Sequence, residues 1–598
     1  MKIGAAFSQH ILTEDLSRGR KNRMYSKDNG PRPRSLAFPT ILIICFVVLF
    51  GRLFFLQIIE GAYYRNISDS NRIKTTIVHA PRGIIFDRNG KPLVYNTPGF
   101  RKIVNGKTLL LDNEDALSLL AKGDTHLEID SLRKYPLGEA GAHVVGYIGQ
   151  ISKDDLGNPL YLGYASGDLI GKSGLEDSYE QMLKGTDGKI LQEVNAQGKI
   201  VRTLGETDPI PGQNITTTID SNFQQKVFDA MKGVAKGAAI VSTPNGEILA
   251  IVSKPSFDPN LFTLGEHYHA PSDSQYKTVE QVLLDNEGQP ILDRAIGGVY
   301  PPGSTFKLVV AAAGLQTGVI NDKYTVEDTG VLKVGEFSFA NWYFTGYGRT
   351  EGEVDVVKAI KRSNDIFFYK VGSLLGVDRL SAFAEKFGLG QKTGIDLFGE
   401  EKGLLPTKSW KEKVIGDKWY LGDDYHYGIG QGYLLTTPLQ VNIWTQAVAN
   451  EGTIYNPHLY KGQNSKILSR DILSQKNTDL IREGMIEACS DGGVAWPLFN
   501  FSTKNQELRT KIDGKDFYTP TNATSSAEAQ NELGIRIACK TGTAEHGNGN
   551  QEPHAWITLF APAYNPKIIV TVLSEESGEG SNIAGPIAKQ ILTDWFSK

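Results

Sequence analysis

The hydrophobic pattern of the chain begins with one long apolar run, Leu36 to Ile59, 24 residues carrying a single charge at Arg52. A helix over this run spans about 36 Å, enough to cross a bilayer. The run is too long for the apolar core of a signal peptide and no small-x-small cleavage site follows it, so it predicts an uncleaved anchor. Arg52 sits toward the outer end, where its stem can reach the headgroups; contact with a partner helix in the membrane is the alternative.

After the anchor the periodicity changes. From Ala62 to about Gly212, short extended runs alternate with Gly, Pro and Asn turns, and Asn89-Gly90 suits a tight hairpin, which predicts a strand-rich spacer ending at Pro209 to Gly212. Beyond it, Asn214 to Ile219 alternates as a strand and Asp220 can cap a helix from Ser221 to about Lys232. Two hairpins are expected, Ala238 to Val241 with Glu247 to Val252 across Pro244-Asn245-Gly246, and Ala555 to Phe560 with Lys567 to Leu573. The closing segment places Ile587, Ala588, Ile591, Leu592, Trp595 and Phe596 on one stripe of an amphipathic helix. Together these predict an α/β fold with a mainly antiparallel sheet, helices covering it, and a mostly helical middle from about Pro302 to Ala488. The expected divisions are a basic tail (1–35), the anchor (36–59), the spacer (60–212) and an α/β domain (213–598).

Charge adds a direction. Residues 1–35 hold eight Lys or Arg against three acids, whereas the whole chain has a net charge of -4. The basic tail is expected on the cytoplasmic side, with everything after Ile59 outside. The overall acidity argues against nucleic acid as a partner. Only three cysteines occur, Cys45, Cys489 and Cys539. A Cys489 to Cys539 bridge is chemically possible, but nothing in the sequence brings the two together, and two buried free thiols are the expectation. No Cys/His spacing points to a metal.

The candidate chemistry begins at Tyr300-Pro301-Pro302-Gly303-Ser304-Thr305-Phe306-Lys307, a turn entering an alanine-rich helix. It places a hydroxyl and an amine one helical turn apart, facing the same way. A desolvated lysine beside a serine can take its proton, so the pair reads as nucleophile and base. Spacing alone is weak, because Ser131/Lys134 and Ser274/Lys277 share it. Ser363-Asn364-Asp365 precedes an apolar run and places polar groups at the start of a helix. Lys540-Thr541-Gly542-Thr543 follows the strand-like run Gly534 to Cys539 and suits an anionic carboxylate. Lys392-Thr393-Gly394 has the same letters but reads as a surface loop.

In this order, Ser304/Lys307, Ser363/Asp365 and Lys540/Thr541/Gly542 resemble the three motifs of penicillin-binding transpeptidases. Pro81 to Gly90 is similar to the opening of that family's non-catalytic pedestal, Gly171 to Glu176 to its linker, and Tyr427 to Gly432 with Thr437-Pro438 to a catalytic-domain loop. One anchor and no glycosyltransferase-like domain match the class B, monofunctional members. Tyr300 to Gly303 and the short C-terminus look most like the elongation type; the division type and a catalytically silent scaffold are the alternatives. The fold implied is a penicillin-binding/β-lactamase-like transpeptidase domain on a strand-rich pedestal with a shortened head. The resemblance implies a peptidoglycan D,D-transpeptidase acting through a serine acyl-enzyme with release of D-Ala. In it Ser304, Lys307, Ser363 and Lys540 are catalytic, and Asp365, Thr541, Gly542 and Thr543 bind substrate. Asp365 replaces a commoner Asn and, when ionised, only accepts hydrogen bonds. The implied ligands are stem peptides, lipid-linked glycan strands and β-lactams. The implied partners are a SEDS-family glycosyltransferase of the RodA type and other elongation-complex membrane proteins. No cofactor is implied. Some elongation-type members carry zinc after the nucleophile helix, but Val326 to Thr350 contains neither His nor Cys, so none is expected.

Overall fold

The computed structural model describes residues 34–597 except 125–126, 196, 265–267, 506, 512, 520–531 and 548–550; most of the basic tail lies outside the described residues. The chain divides into two compact units. One holds the residues up to Thr76 together with Leu191–Gly205. In it the apolar run forms α1 (Arg34–Phe54), continued by a π turn at Phe55–Ile59. Ala37–Ile59 is a single helical stretch of 23 residues with mean hydropathy 2.6 and none of it buried, long and apolar enough to cross a membrane. The Arg52 guanidinium lies 5.5 Å from the centre of the Phe55 ring.

The other unit comprises Ile77–Ile190 and Glu206–Lys598. Its pedestal is built on the strand Pro92–Val104, paired antiparallel with Lys107–Leu111 and Glu128–Lys134. The Asn89-Gly90 turn closes as expected: Gly90 adopts φ 84°, Gly90 N–H donates to the Asp87 carbonyl, and Ile85 pairs with Val94. Arg82 is clamped between Glu176 at 2.8 Å and Glu180 at 2.7 Å, and Arg133 joins Glu176 at 2.6 Å. Buried charges persist only when paired in this way. The Asp396 carboxylate then accepts from Tyr179 Oη–H, Leu459 N–H and Tyr460 N–H, each at 2.7 Å, and ties this strand-rich part to the C-terminal part.

In the C-terminal part Asp220 caps α2 (Ser221–Ala230) by accepting from Phe223 N–H. The strand expected over Asn214 to Ile219 shortens to Ile215–Thr216, because it pairs there, in parallel, only with Ile85 and Phe86 of the pedestal. The first hairpin is β1 (Gly237–Ser242) and β2 (Ile248–Lys254). The helical middle contains α3 (Lys307–Gln316), a small β3 (Val326–Asp328), α4 (Trp342–Tyr347), β4 (Gly352–Val354), α5 (Val356–Arg362) and α6 (Asp365–Lys386), the last interrupted at Gly376. It continues through α7 (Pro438–Ala449) and α8 (Gln475–Ala488). The chain ends with β5 (Ala538–Ala544), β6 (His554–Ala561), β7 (Ile568–Ser574) and α9 (Ala584–Phe596).

The five strands form an antiparallel sheet in the order β2-β1-β7-β6-β5, so β5 is an edge. Both faces are covered, which is why the strands read as continuous apolar runs. Ile557, Leu559, Val570 and Val572 pack under α2 and α9, where Ala588, Ile591, Leu592 and Phe596 are buried. Trp556, Phe560, Ile569 and Leu573 face the helical middle with Val441, Trp444 and Val448 of α7. One expectation is corrected here. Cys489, at the end of α8, and Cys539 on β5 are joined in a disulfide with Cα atoms 6.0 Å apart, not left as free thiols. The packing of a helix end over a strand, invisible in sequence, brings them together.

Candidate active site

Ser304 lies in a single 3-10 turn, Gly303–Phe306, and Lys307 is the first residue of α3. The turn at Ser304 is thus 3-10 and not α-helical, but it runs directly into α3, and residues three apart in such a turn stack on one face. α3 is buried along all but its last residue, so Lys307 enters an apolar interior with its amine as the only polar end. Trp556 Nε1–H donates to the Pro301 carbonyl at 3.1 Å and pins the turn to β6. The loop Tyr427–Gly432 closes the other side. Gly303 N–H donates to the Gly430 carbonyl at 2.9 Å, and a Cβ on Gly430 would stand 2.1 Å from the Gly303 carbonyl oxygen, so no larger residue fits. Thr437 caps α7, with Pro438 at its first position.

Ser363 occupies the junction between α5 and α6. It adopts the left-handed conformation, φ 53°, which is unusual for serine and stops α5 in a C-terminal cap: Ser363 N–H donates to Ile360 O and Asn364 N–H to Ala359 O. The next residue, Asn364, starts α6 by accepting from Phe367 N–H at 2.9 Å. This double junction turns the Ser363 hydroxyl and carbonyl toward the two lysines.

Lys307 Nζ donates to Asp365 Oδ1 at 2.6 Å, to the Ser363 carbonyl at 2.8 Å and to Ser363 Oγ at 3.3 Å. Lys540 Nζ donates to Ser363 Oγ at 2.8 Å and to the Thr541 carbonyl at 2.8 Å. Ser363 Oγ is thus shared by two buried amines. Burial holds the pKa of Lys307 below that of an ordinary lysine, with the charge of Asp365 opposing the shift. Burial, with the nearby positive Lys307, pushes Lys540 well below it, again against Asp365. Asp365, expected to bind substrate, has both oxygens committed inside the protein: Oδ1 to Lys307 and Oδ2 to Trp342 N–H at 2.9 Å.

Ser304 is half-buried, and among the described residues its Oγ makes no hydrogen bond to Lys307, whose three acceptors all belong to 363 and 365. It sits beside β5: a Cβ on Gly542 would meet Thr305 Cγ2 at 3.0 Å and the Pro302 carbonyl at 3.1 Å. Thr541 is buried, whereas Thr543 is exposed and its Oγ1 accepts from Gly580 N–H at 3.3 Å. The look-alike spacings fall elsewhere. Ser131 and Lys134 lie on a pedestal strand, and the Lys277 amine donates to the Pro271 carbonyl. Thr393 and Gly394 wrap the Glu400 carboxylate in a turn.

Sequence reasoning passed over Asp328, Asn341 and Trp342, which reach Asp365 or its supports; their only local signal is the turn-like Asp328-Thr329-Gly330. It passed over Asp293 as well, in the segment that leads to the Ser304 turn. Its Oδ1 accepts from Ala295 N–H at 3.0 Å, but its Oδ2 is buried without a partner among the described residues. Burial raises its pKa from 3.8 to about 6, against the Ala295 hydrogen bond. The folded protein therefore prefers the protonated acid. The stability this group confers is full below 3.8 and is lost as pH rises through about 6. The loss amounts to roughly 3 kcal/mol. The stability of Asp293→Asn relative to wild type should accordingly rise between about pH 4 and about pH 8 in urea titrations; a flat difference would show that Asp293 does not titrate this way.

Residues 237–593 match the family described as Penicillin binding protein transpeptidase domain, and residues 124–217 that described as Penicillin-binding Protein dimerisation domain. The peptidoglycan D,D-transpeptidase MrdA of Haemophilus influenzae is 32% identical, over 94% of this chain and 91% of its own length. Among solved structures, Pseudomonas aeruginosa PBP2 in complex with WCK 5153 aligns with a TM-score of 0.64 at 33% identity, covering 87% of this chain and 96% of that one. A Helicobacter pylori complex of PBP2 with MreC aligns with a TM-score of 0.68 at 26% identity, covering 87% of this chain and 98% of that one.

Proposed function

For a chain that belongs to the penicillin-binding protein transpeptidases and is a serine-type peptidoglycan D,D-transpeptidase, we propose that Ser304 is the nucleophile and Lys307 its base. The observation that carries this reading is the convergence of Lys307 and Lys540 on Ser363 Oγ at 3.3 and 2.8 Å, next to the turn bearing Ser304. Ser304 Oγ attacks the carbonyl of the penultimate D-Ala of a stem peptide while neutral Lys307 takes its proton. The backbone N–H groups of Ser304 and Thr543 receive the developing oxyanion. Ser363 relays a proton to the leaving D-Ala amine, drawing on Lys540, and an acyl-enzyme remains. An amine from a neighbouring stem then attacks the ester, forming the cross-link and freeing Ser304.

Among the described residues β5 is an edge strand with no further strand beside it, so a stem peptide can lie along it with backbone hydrogen bonds. Thr541, Gly542 and Thr543 hold the terminal carboxylate there. Asp365 orients Lys307 instead of touching substrate, since its two oxygens are already used. β-Lactams acylate Ser304 as substrate mimics.

The chain is anchored in the inner membrane by α1, with the tail in the cytoplasm and the catalytic domain outside. Full-length likeness to the elongation-type relatives supports a role in cell elongation. A RodA-type glycan polymerase meets the anchor and pedestal, and the chain also joins a further elongation-complex protein, as Helicobacter pylori PBP2 forms a complex with MreC. The test is to label the protein with fluorescent penicillin and map the adduct by peptide mass spectrometry. The adduct is expected on the peptide containing Ser304; an adduct on another residue, or none, removes this assignment.

A further inference from the structure

We propose that Asp328 is a positioning residue for acylation, acting through two asparagines that set the second motif. Asp328 closes β3, is 2% exposed, and spends both carboxylate oxygens on protein donors. Oδ1 accepts from Gly330 N–H at 2.8 Å. Oδ2 gathers three donors from separate segments: Asn341 Nδ2 at 2.8 Å, Asn364 Nδ2 at 2.9 Å and Glu351 N–H at 3.0 Å. Asn341 and Asn364 are each 1% exposed.

A primary amide is nearly symmetrical in shape, so something has to decide which end faces which neighbour. An anionic oxygen does so, because it accepts from an NH2 and repels a carbonyl. With their NH2 ends held on Asp328, both asparagines aim their carbonyl ends at the start of α6. Asn341 Oδ1 accepts from Asp365 N–H at 3.1 Å, and Asn364 Oδ1 accepts from Phe367 N–H at 2.9 Å. Trp342, the residue after Asn341, donates its own N–H to Asp365 Oδ2. Asp365 is therefore held at its backbone and at one oxygen by groups that trace back to Asp328, which leaves Oδ1 for Lys307. Ser363, one residue before Asn364, takes its left-handed turn under the same constraint.

The consequence falls on rate. A base displaced by about an ångström loses on the order of 100-fold in reactivity, while ground-state binding on the β5 edge, which is held by its pairing with β6 and not by Asp328, is spared. Asp328→Asn keeps the shape but puts a third amide where the orienting charge stood, and Asn341→Ala removes both the acceptor for Asp365 N–H and one of the donors to Asp328.

The inference rests on Ser304 being the acylated residue, so full-length protein, Ser304→Ala and both variants are compared with the same fluorescent penicillin. Reversible dissociation constant, acylation rate constant and fraction folded are measured for each. Asp328→Asn is expected to acylate about 10- to 100-fold more slowly per folded molecule, with the dissociation constant changed by less than about threefold, and Asn341→Ala to shift the same way. Should Asp328→Asn not fold, Asn341→Ala decides alone. Wild-type acylation rates per folded molecule, or a loss confined to reversible binding, would overturn the positioning role. Labelling of Ser304→Ala at the wild-type rate would overturn the nucleophile assignment instead.

Discussion

Ser304→Ala is expected to abolish covalent labelling by penicillin and to lower cross-linking by at least about 10⁴-fold, with thermal stability and reversible ligand binding retained. Ser304 is half-buried at a turn fixed from outside, by Trp556 on one side and Gly430 on the other, so loss of its Oγ leaves the turn in place. No other serine stands in for it. Ser363 is committed between two lysines, and Ser131 and Ser274 lie in other parts of the fold. Equal labelling of wild type and variant on denaturing gels would remove Ser304 from the mechanism. If the chain were a silent scaffold, wild type itself would fail to label.

The second large effect is expected at Lys307. Lys307→Ala should still bind penicillin reversibly, while the acylation rate constant falls by about 10³-fold, the usual contribution of a positioned base. The direction of the pH dependence follows from the site. Only the neutral amine accepts a proton, so the rate rises as pH climbs through the Lys307 pKa. Burial moves that rise below the pH at which an ordinary lysine deprotonates, and Asp365 limits how far. The substitution also leaves Asp365 as a buried carboxylate without its cation, at a cost of about 3 kcal/mol. Rates therefore have to be compared per folded molecule, by stopped-flow with the folded fraction measured alongside. An unchanged acylation rate would show that another group takes the serine proton.

The parts of this molecule legible in its sequence are those governed by local pattern. The anchor, both hairpins, the Asp220 cap and the closing stripe of Ala588, Ile591, Leu592 and Phe596 all depend on neighbours within a few residues, and the structure places them close to the expected bounds. The motif residues were legible as an ordered set, and Lys307, Ser363, Asp365 and Lys540 do converge. What sequence could not show is how they meet. The left-handed turn at Ser363 comes from two helices ending and starting on adjacent residues, which propensity does not encode. The commitment of both Asp365 oxygens depends on Trp342, over twenty residues earlier, and the Cys489 to Cys539 bond on a helix end lying across a strand. Each is a contact between segments distant in sequence, for which periodicity carries no information.

The strand order also decides which later residues the Lys540 strand depends on. Gly237 on β1 pairs with Ser574 on β7, and Lys540 lies on the edge strand that depends on β6 and β7 for its place. Non-local pairings of this kind form only after the intervening chain is available. A chain truncated before β6 and β7 therefore has Ser304 but not the sheet edge on which Lys540 lies. The strand that carries Lys540 is thus held by residues that follow it in the chain, and removing β6 and β7 would leave it without a neighbour in the sheet.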